Sequence, residues 1–366
     1  MHSRILITGG AGFIGSRLVH ALLQDQPDCK IWILDNLHPQ VHGDHPVLPV
    51  YPEQVELLVG DIADKGVVRE LVTKVQPELI YHLAAETGTG QSYDEVIRYC
   101  NVNVTGTANL IEAVRSLPVI HPIKIVLSAS RAVYGEGAYS DADGRIYVGL
   151  PREAENMADG DFAVYLPPEA QQPFKPEASF AGLPPAPASV YASTKLMQEY
   201  LLQQTCETGN VSSLILRFQN VYGPGQSLRN PYTGVLSIFS RQLMEGKTLA
   251  IYEDGLIARD FVFVDDVVDA MVKAGQSNLP NGTSMDIGAG RAVSILDAAR
   301  LLIRYLDCPD NRFSVTGQFR VGDIRHACAD ICTARSLLGW EPQVSIETGL
   351  SKLAVWAREQ FKSNLL

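Results

Sequence analysis

A phenol and an amine four residues apart, Tyr191 and Lys195 in Tyr191-Ala192-Ser193-Thr194-Lys195, open a stretch of helical pattern that runs to about Cys206. The spacing sets both side chains on one helix face, a turn apart. A cation beside a phenol favours the phenolate, and a bound nicotinamide cation lowers the phenol further from its usual pKa of about 10. Tyr191 is thus a candidate general base, with Lys195 as its charge partner. Taken alone, such a pair is a common accident of an amphipathic surface. It gains weight from Ser130, a hydroxyl at the end of the buried pattern Lys124-Ile125-Val126-Leu127-Ser128, and from a glycine-rich turn near the start of the chain.

That turn is Arg4-Ile5-Leu6-Ile7-Thr8-Gly9-Gly10-Ala11-Gly12-Phe13-Ile14-Gly15, a short apolar strand running into three spaced glycines and then into Ser16-Arg17-Leu18-Val19-His20-Ala21-Leu22-Leu23, apolar at helical spacing. Strand, tight turn and helix start form a seat for a dinucleotide: the backbone can approach a pyrophosphate closely, and the helix N-terminus offers free N–H groups and a positive dipole end. A second strand, Lys30-Ile31-Trp32-Ile33-Leu34, ends in Asp35, where a carboxylate can accept both ribose hydroxyls of an adenosine. Asn36 and Leu37 follow instead of an Arg, so NAD is favoured over NADP. Asp61, after Val55-Glu56-Leu57-Leu58-Val59-Gly60, has two readings: a partner for an adenine amine, or a cap of the next helix within Asp61-Ile62-Ala63-Asp64.

Strands alternate with helices through Leu79-Ile80-Tyr81-His82-Leu83-Ala84-Ala85, a helical region from Tyr93 to Ser116 and the strand before Ser130, which predicts a parallel sheet covered on both faces. Small residues at 83–85 let a cofactor lie close to backbone. The pattern breaks between Glu136 and Val190, where Pro, Ala, Gly and acids dominate; a lid over the site and an oligomer contact are the two expectations for this excursion. The loop with His38, His42 and His45 lacks supporting acids and reads as solvated rather than as a metal site. The six scattered cysteines read as reduced structural thiols, so neither zinc nor a disulfide is expected. A net charge of −11 with no basic block argues against nucleic acid and an acidic membrane surface as partners. No apolar run long enough to span a bilayer and no signal-peptide pattern occur, which predicts a cytoplasmic protein.

These stretches, with Asn103-Val104-Thr105-Gly106-Thr107, Arg217-Phe218-Gln219-Asn220-Val221-Tyr222-Gly223-Pro224-Gly225, Arg259-Asp260-Phe261-Val262-Phe263-Val264-Asp265-Asp266-Val267 and Gly322-Asp323-Ile324-Arg325-His326, resemble the extended short-chain dehydrogenase/reductase superfamily in its nucleotide-sugar epimerase/dehydratase branch. The resemblance spans nearly the whole chain. It implies an α/β fold, a Rossmann-type doubly wound parallel sheet with a smaller mixed α/β C-terminal substrate lobe. Residues 1–222 are expected to form the NAD-binding domain, carrying the 136–190 insertion, and 223–366 mainly the substrate lobe, with 259–275 crossing back. The implied catalytic residues are Tyr191 as base, Lys195 holding the nicotinamide ribose, and Ser130 bonding the reacting sugar oxygen. Implied NAD contacts are Gly9, Gly12, Phe13, Ile14, Gly15, Asp35, Asn36, Asp61, Ile62, Leu83, Ala84, Ala85, Asn103 and Ser128, together with Tyr191 and Lys195. Implied substrate contacts are Thr87, Ser130, Arg131, Asn220, Val235, Leu236, Tyr252, Arg259 and Arg320, with Asn220 and Arg259 on the diphosphate.

The branch also sorts reactions. Its dehydratases resemble one another in an Asp-Glu pair after the active-site hydroxyl, and its decarboxylases place a Glu second; here Arg131 and Ala132 stand there. The resemblance therefore implies an NAD-dependent 4-epimerase that oxidises C4 of a nucleotide-linked sugar and returns the hydride to the other face. The stretches 85–92, 216–228 and 230–234 look most like dTDP-L-rhamnose 4-epimerases and their close relatives. A GDP- or UDP-sugar 4-epimerase, or an NADPH-dependent 4-ketoreductase, is the alternative. A homodimer through the helices at 93–117 and 191–206 is implied.

Overall fold

Alternate residues of the first strand enter different cores. Ile5 and Ile7 pack into one buried apolar cluster and Leu6 into another, and Ile31 and Ile33 against Leu34 repeat the division in the next strand. Successive strand side chains point to opposite faces, so this sheet is buried on both. The computed structural model describes residues 2–44, 46, 50–118, 120–206, 210–232 and 234–363; His45 lies outside them. It contains a seven-stranded sheet in the order Thr283–Ile287, Val211–Phe218, Ile123–Ser130, Leu79–His82, Arg4–Thr8, Lys30–Asp35, Val55–Val59. Every neighbouring pair is parallel. Helices Phe13–Asp25 and Val264–Gln276 bury Leu18, Leu22, Val267 and Met271 on one face; Lys65–Val75, Gly106–Arg115 and Val190–Thr205 bury Leu71, Leu110 and Leu202 on the other. The expected doubly wound fold is thus present.

Gly15 shows how tightly the first helix sits on its turn. A Cβ there would lie 2.5 Å from the Gly9 carbonyl oxygen and 2.6 Å from Gly10 Cα, so only glycine lets the helix start so near the strand.

The chain beyond 222 returns to the main sheet twice. Helix Val264–Gln276 packs beside the first helix, joined by Arg17 to Asp265 at 2.7 Å, and Thr283–Ile287 adds the edge strand. A smaller region carries the parallel pair Asn220–Tyr222 and Ala258–Phe263, the pair Leu249–Ile251 and Phe313–Val315, and helices Val235–Met244, Ile295–Tyr305 and Ile346–Lys362. Asp260 and Asp266 hold its loops. The first accepts from the backbone N–H groups of Ala289, Gly290 and Ala329, the second from those of Gln343 and Val344.

The excursion at 136–190 is partly structured. Strands Ala138–Ser140, Ile146–Val148 and Lys175–Pro176 form a small sheet, and Arg152, 2% exposed, is gripped by Glu136 at 3.0 Å and Glu253 at 2.8 Å. Among the described residues no helix is long and apolar enough to cross a membrane.

A buried polar network joins four elements. Arg217, on strand Val211–Phe218, donates to both oxygens of Glu199 on helix Val190–Thr205 and, at 2.8 Å, to the Tyr134 hydroxyl; Tyr134 donates to Asp286 on the edge strand at 2.8 Å. Removing one partner of such a pair strands the other charge without water. Arg217→Met should therefore cost about 3–5 kcal/mol in urea unfolding, and adding Glu199→Leu should recover most of it; an additive double variant would contradict the pairing. Burial raises the Asp286 carboxyl from its ordinary 3.8 to about 8, against the pull of the Tyr134 hydrogen bond and Arg217. Folded protein then keeps a proton that the unfolded chain has released, so its contribution is full below pH 3.8 and declines as pH rises toward 8. Asp286→Asn should flatten that decline in unfolding free energy measured between pH 4 and 8.

Candidate active site

The strand order reverses at Arg4–Thr8: the chain builds the sheet outward through Lys30–Asp35 on one side and through Leu79–His82 on the other. Open α/β sheets bind ligands beyond the carboxyl ends of their strands at such a switch point. A cavity of about 460 Å³ lies there.

Its walls gather most of the residues singled out from sequence. Gly9, Gly12, Phe13, Ile14, Gly15, Asp35, Asn36, Ile62, Leu83, Ala84, Ala85 and Ser128 line it, as do Tyr191 and Lys195. Thr87, Ser130, Arg131, Asn220, Val235 and Leu236 line the same cavity. Helix Phe13–Asp25 begins at Gly12 with no side-chain cap and no acid in its first turn, which leaves its N-terminal donors to a ligand. Among the described residues, its chain neighbours and own helix aside, a Cβ built on Gly12 would meet within 4 Å only the Gly9 carbonyl oxygen, at 3.3 Å. Asp35 is fixed by the N–H groups of Ala11 at 3.0 Å and Leu37 at 2.9 Å. The buried Oδ1 of Asn220 and Oε1 of Gln219 have no hydrogen-bond partner, and both residues face the cavity. A glycine cradle, an uncapped helix start, an oriented carboxylate and unpaired amide oxygens together fit a dinucleotide with a polar second ligand.

Five expected contacts stand off the cavity wall. Asp61 accepts from Asn36 and from the Ala63 N–H, while Asp64 caps helix Lys65–Val75 through Gly66 and Val67. Asn103 is buried behind the wall, where it bonds both backbone groups of Glu86 and the Thr194 hydroxyl. Arg259 is turned onto the Asp323 carboxylate and the Ala258 carbonyl. Tyr252 and Arg320 satisfy each other, with the guanidinium 4.8 Å from the ring centroid, at a separate place on the surface.

Other wall residues were not expected. His38 and His42 line the cavity: the His38 ring accepts from the Gln40 N–H to start the short helix Pro39–His42, and His42 lies 3.7 Å from Asp35. Residues 38–42 of this loop, expected to be solvated, therefore border the site. Gln40 donates to Asn230 and Gln91, at 3.1 and 3.0 Å, and so links this loop to the loop before helix Val235–Met244. Proline and amide content marked a turn here, but no local spacing could pair residues 190 positions apart. No residue of 136–190 is among those lining the cavity. The excursion reaches it indirectly, since Arg152 also donates to the carbonyl of Asp323, the residue that holds Arg259. Among the described residues no three His, Cys, Asp or Glu side chains converge as a metal would require.

At the reacting end, burial raises the Tyr191 phenol, while hydrogen bonding with Ser130 and the charge of Arg131 lower it. Lys195 donates to the Ser128 carbonyl at 2.7 Å and to Gln198 at 2.9 Å. Burial brings its ammonium down to about 7, opposed by Glu199. Gln198 continues into Thr107 and the buried His82. The amine is thus directed at strand and glutamine, not at the phenol alone.

Two family models match the chain: GDP-mannose 4,6 dehydratase over residues 6–143, and the NAD dependent epimerase/dehydratase family over residues 163–288. The chain is 44% identical to a dTDP-L-rhamnose 4-epimerase of Burkholderia thailandensis, covering 98% of this chain and 95% of that one. It is 31% identical to a UDP-glucose 4-epimerase of Mycolicibacterium smegmatis over 98% of this chain and 99% of the relative. Among solved structures, it is similar to the Thermotoga maritima UDP-glucose 4-epimerase with UDP-glucose (TM-score 0.76, 26% identity, 98% and 99% of the two chains). The Thermus thermophilus UDP-glucose 4-epimerase complex with NAD is also similar (TM-score 0.77, 25% identity, 97% and 99%).

The Gly12 geometry makes a test. Gly12→Ala should lower the content of tightly bound dinucleotide, read by absorbance of the supernatant after denaturation, while moving the thermal midpoint by no more than about 2–4 °C, the shift that roughly 1 kcal/mol produces in a domain of about 150–250 residues. Unchanged dinucleotide content would remove the turn as the cradle.

Proposed function

Because the chain belongs to the NAD dependent epimerase/dehydratase family, we propose that it is an NAD-dependent 4-epimerase of a nucleotide-linked sugar, with dTDP-L-rhamnose or a related deoxyhexose as substrate. One observation carries the reading: Tyr191, Ser130 and the glycine cradle open onto a single cavity in a chain 44% identical, nearly end to end, to a dTDP-L-rhamnose 4-epimerase.

NAD, when bound, supplies the acceptor for the C4 hydride and the means of returning it. The glycine turn and the uncapped helix start hold its pyrophosphate, and Asp35 its adenosine ribose. Tyr191, as phenolate, takes the proton of the sugar's 4-hydroxyl and gives it back when the 4-keto sugar is reduced on its other face. Ser130 shares a hydrogen bond with Tyr191 and orients the same sugar oxygen. Lys195 donates to the nicotinamide ribose while anchored on Ser128. Asn220, with its unpaired amide oxygen beside the cavity, turns its amide to the diphosphate, and Val235 and Leu236 flank the nucleobase at the start of helix Val235–Met244. Thr87 faces the hexose. Arg259 reaches the diphosphate by exchanging Asp323 for phosphate, an Arg-to-anion swap that keeps its charge paired. Since the sugar must turn over between the two half-reactions, the walls have to retain both ligands; the Gln40 to Asn230 link across the loops serves that end.

The reading extends to a cytoplasmic homodimer. Ile97, Met197 and Tyr200 are exposed apolar residues on the helices expected to pair.

The purified protein, given no added cofactor, should convert dTDP-L-rhamnose to its C4 epimer by proton NMR without net formation of reduced cofactor. Conversion of only GDP- or UDP-hexoses would move the substrate assignment. Turnover only with NADPH and a 4-keto sugar would replace epimerase by reductase. Tyr191→Phe should lower kcat by about 10²–10⁴ with bound NAD retained; undiminished turnover would remove Tyr191 as base.

A further inference from the structure

The proposed base stands where its anion is costly, and the amine on its own helix is shared with other groups. The Tyr191 phenol sits where burial disfavours its anion. Lys195 spends its hydrogen bonds on Ser128 and Gln198, and burial leaves it only partly charged near neutral pH.

A second cation stands in the same wall. Arg131 follows Ser130 directly, at the start of the single turn Arg131–Tyr134, and lines the cavity with Ser130 and Tyr191. Among the described residues its guanidinium has no hydrogen bond and no ion pair. The other buried arginines are held: Arg152 by Glu136 and Glu253, Arg217 by Glu199, Arg259 by Asp323. An unpaired cation in a partly buried wall costs stability, so its retention points to a partner that is itself part of the chemistry.

The groups around Tyr191 leave Arg131 free to act. On its own helix are Lys195, already engaged, and Glu199, paired with Arg217. From the neighbouring helix Val96–Tyr99, Tyr99 meets the Tyr191 ring edge-on with centroids 6.4 Å apart, and its hydroxyl donates to the carbonyls of Thr87 and Gly88. Beyond Arg131 lie Arg259 with Asp323, and Glu136 with Arg152; each pair is internally balanced. Of the arginines in and behind this wall, Arg131 is the one with no ion pair among the described residues.

We propose that Arg131 is a second charge partner of Tyr191, beside Lys195: from the Ser130 side of the same cavity wall its guanidinium stabilises the phenolate, and it gives up no proton of its own because guanidinium does not deprotonate in the working range. Lys195 holds the ribose and shares the electrostatic task. The proposal rests on the 4-epimerase reading for its kinetics but not for its spectroscopy. Burial pushes the Arg131 guanidinium down to about 10, helped by Arg259 and opposed by Asp323, which still leaves it charged at neutral pH.

The test uses the full-length holoenzyme and Arg131→Met, Arg131→Gln and Arg131→Lys. Two measurements are made: the pH profile of kcat, and a tyrosinate absorbance titration in which Tyr191→Phe identifies the Tyr191 signal. An opposite charge within a few ångströms lowers a pKa by about 1–3 units, so Arg131→Met should move the acid limb and the Tyr191 titration to higher pH by about that much. Below the limb, kcat falls roughly tenfold per unit, and Arg131→Lys restores part of the shift. Arg131→Gln gives the same readout in a polar frame if the Met variant does not fold. A raised KM with both the acid limb and the titration in place would overturn the proposal and make Arg131 a substrate ligand only. If no sugar is turned over, the titration alone decides: a shift supports the pairing while the epimerase reading fails, and no shift overturns the pairing.

Discussion

The geometry of the reacting groups depends on one buried ion pair that touches none of them. Arg217 holds Glu199, two turns beyond Tyr191 on its helix, and Tyr134, the last residue of the turn that starts beside Ser130. Through Tyr134 it reaches Asp286 on the edge strand. The hydroxyl and the phenol therefore arrive from separate elements, and the same guanidinium sets the spacing of both. Fully bonded, such a network is stiff and specific; missing one member, it is worse than an apolar core. The bond from Lys195 to the Ser128 carbonyl repeats the logic closer in, pinning the helix to the strand that presents Ser130.

A similar chain of support runs outward to the excursion at 136–190. Arg152 is almost wholly buried, bridging Glu136 to Glu253, and it fixes the backbone of Asp323. Asp323 holds Arg259. A segment absent from the cavity wall can thus set the position of Arg259 behind it, and the brace it builds gives the excursion a structural role. Arg325 strengthens the brace through Glu253 and Asp254.

What was legible in the sequence was local. The glycine turn, the acid at the second strand end, Ser130 and the Tyr191 and Lys195 pair announce themselves by spacing within one strand, turn or helix, and the structure gathers them around one cavity. The unbroken apolar run Ile5-Leu6-Ile7, buried throughout as a strand covered on both faces must be, likewise made the sheet readable. The misses were long-range. Tyr134 and Asp286 are 152 residues apart, and Gln40 and Asn230 are 190 apart; nothing in either neighbourhood encodes the partner. Tyr252 and Arg320 read as ligands because an aromatic and a cation suit a nucleotide, yet the same chemistry lets them satisfy each other. Asp61 and Asn103 stand off the cavity wall for a related reason: a polar side chain at a strand end or on a helix is equally suited to backbone nearby, which both of them bond. The edge strand Thr283–Ile287 was assigned to the other lobe because chain order alone does not say where a sheet is completed.

The two sides of the cavity are held by different kinds of bond, and the difference suits a ligand that must stay while another comes and goes. Behind Tyr191 and Ser130 stand a buried ion pair and an amine on a backbone carbonyl, whose rupture exposes charge to a dry interior. Across the loops at 38–42 and 226–232 stand neutral amide contacts, Gln40 with Asn230 and Gln91, each worth a net of about 0.5–1.5 kcal/mol. Thermal opening on that scale is frequent, whereas opening of the reacting end is rare. Traffic through the cavity is therefore expected at the loop side, with the base, the hydroxyl and their cations left undisturbed between turnovers.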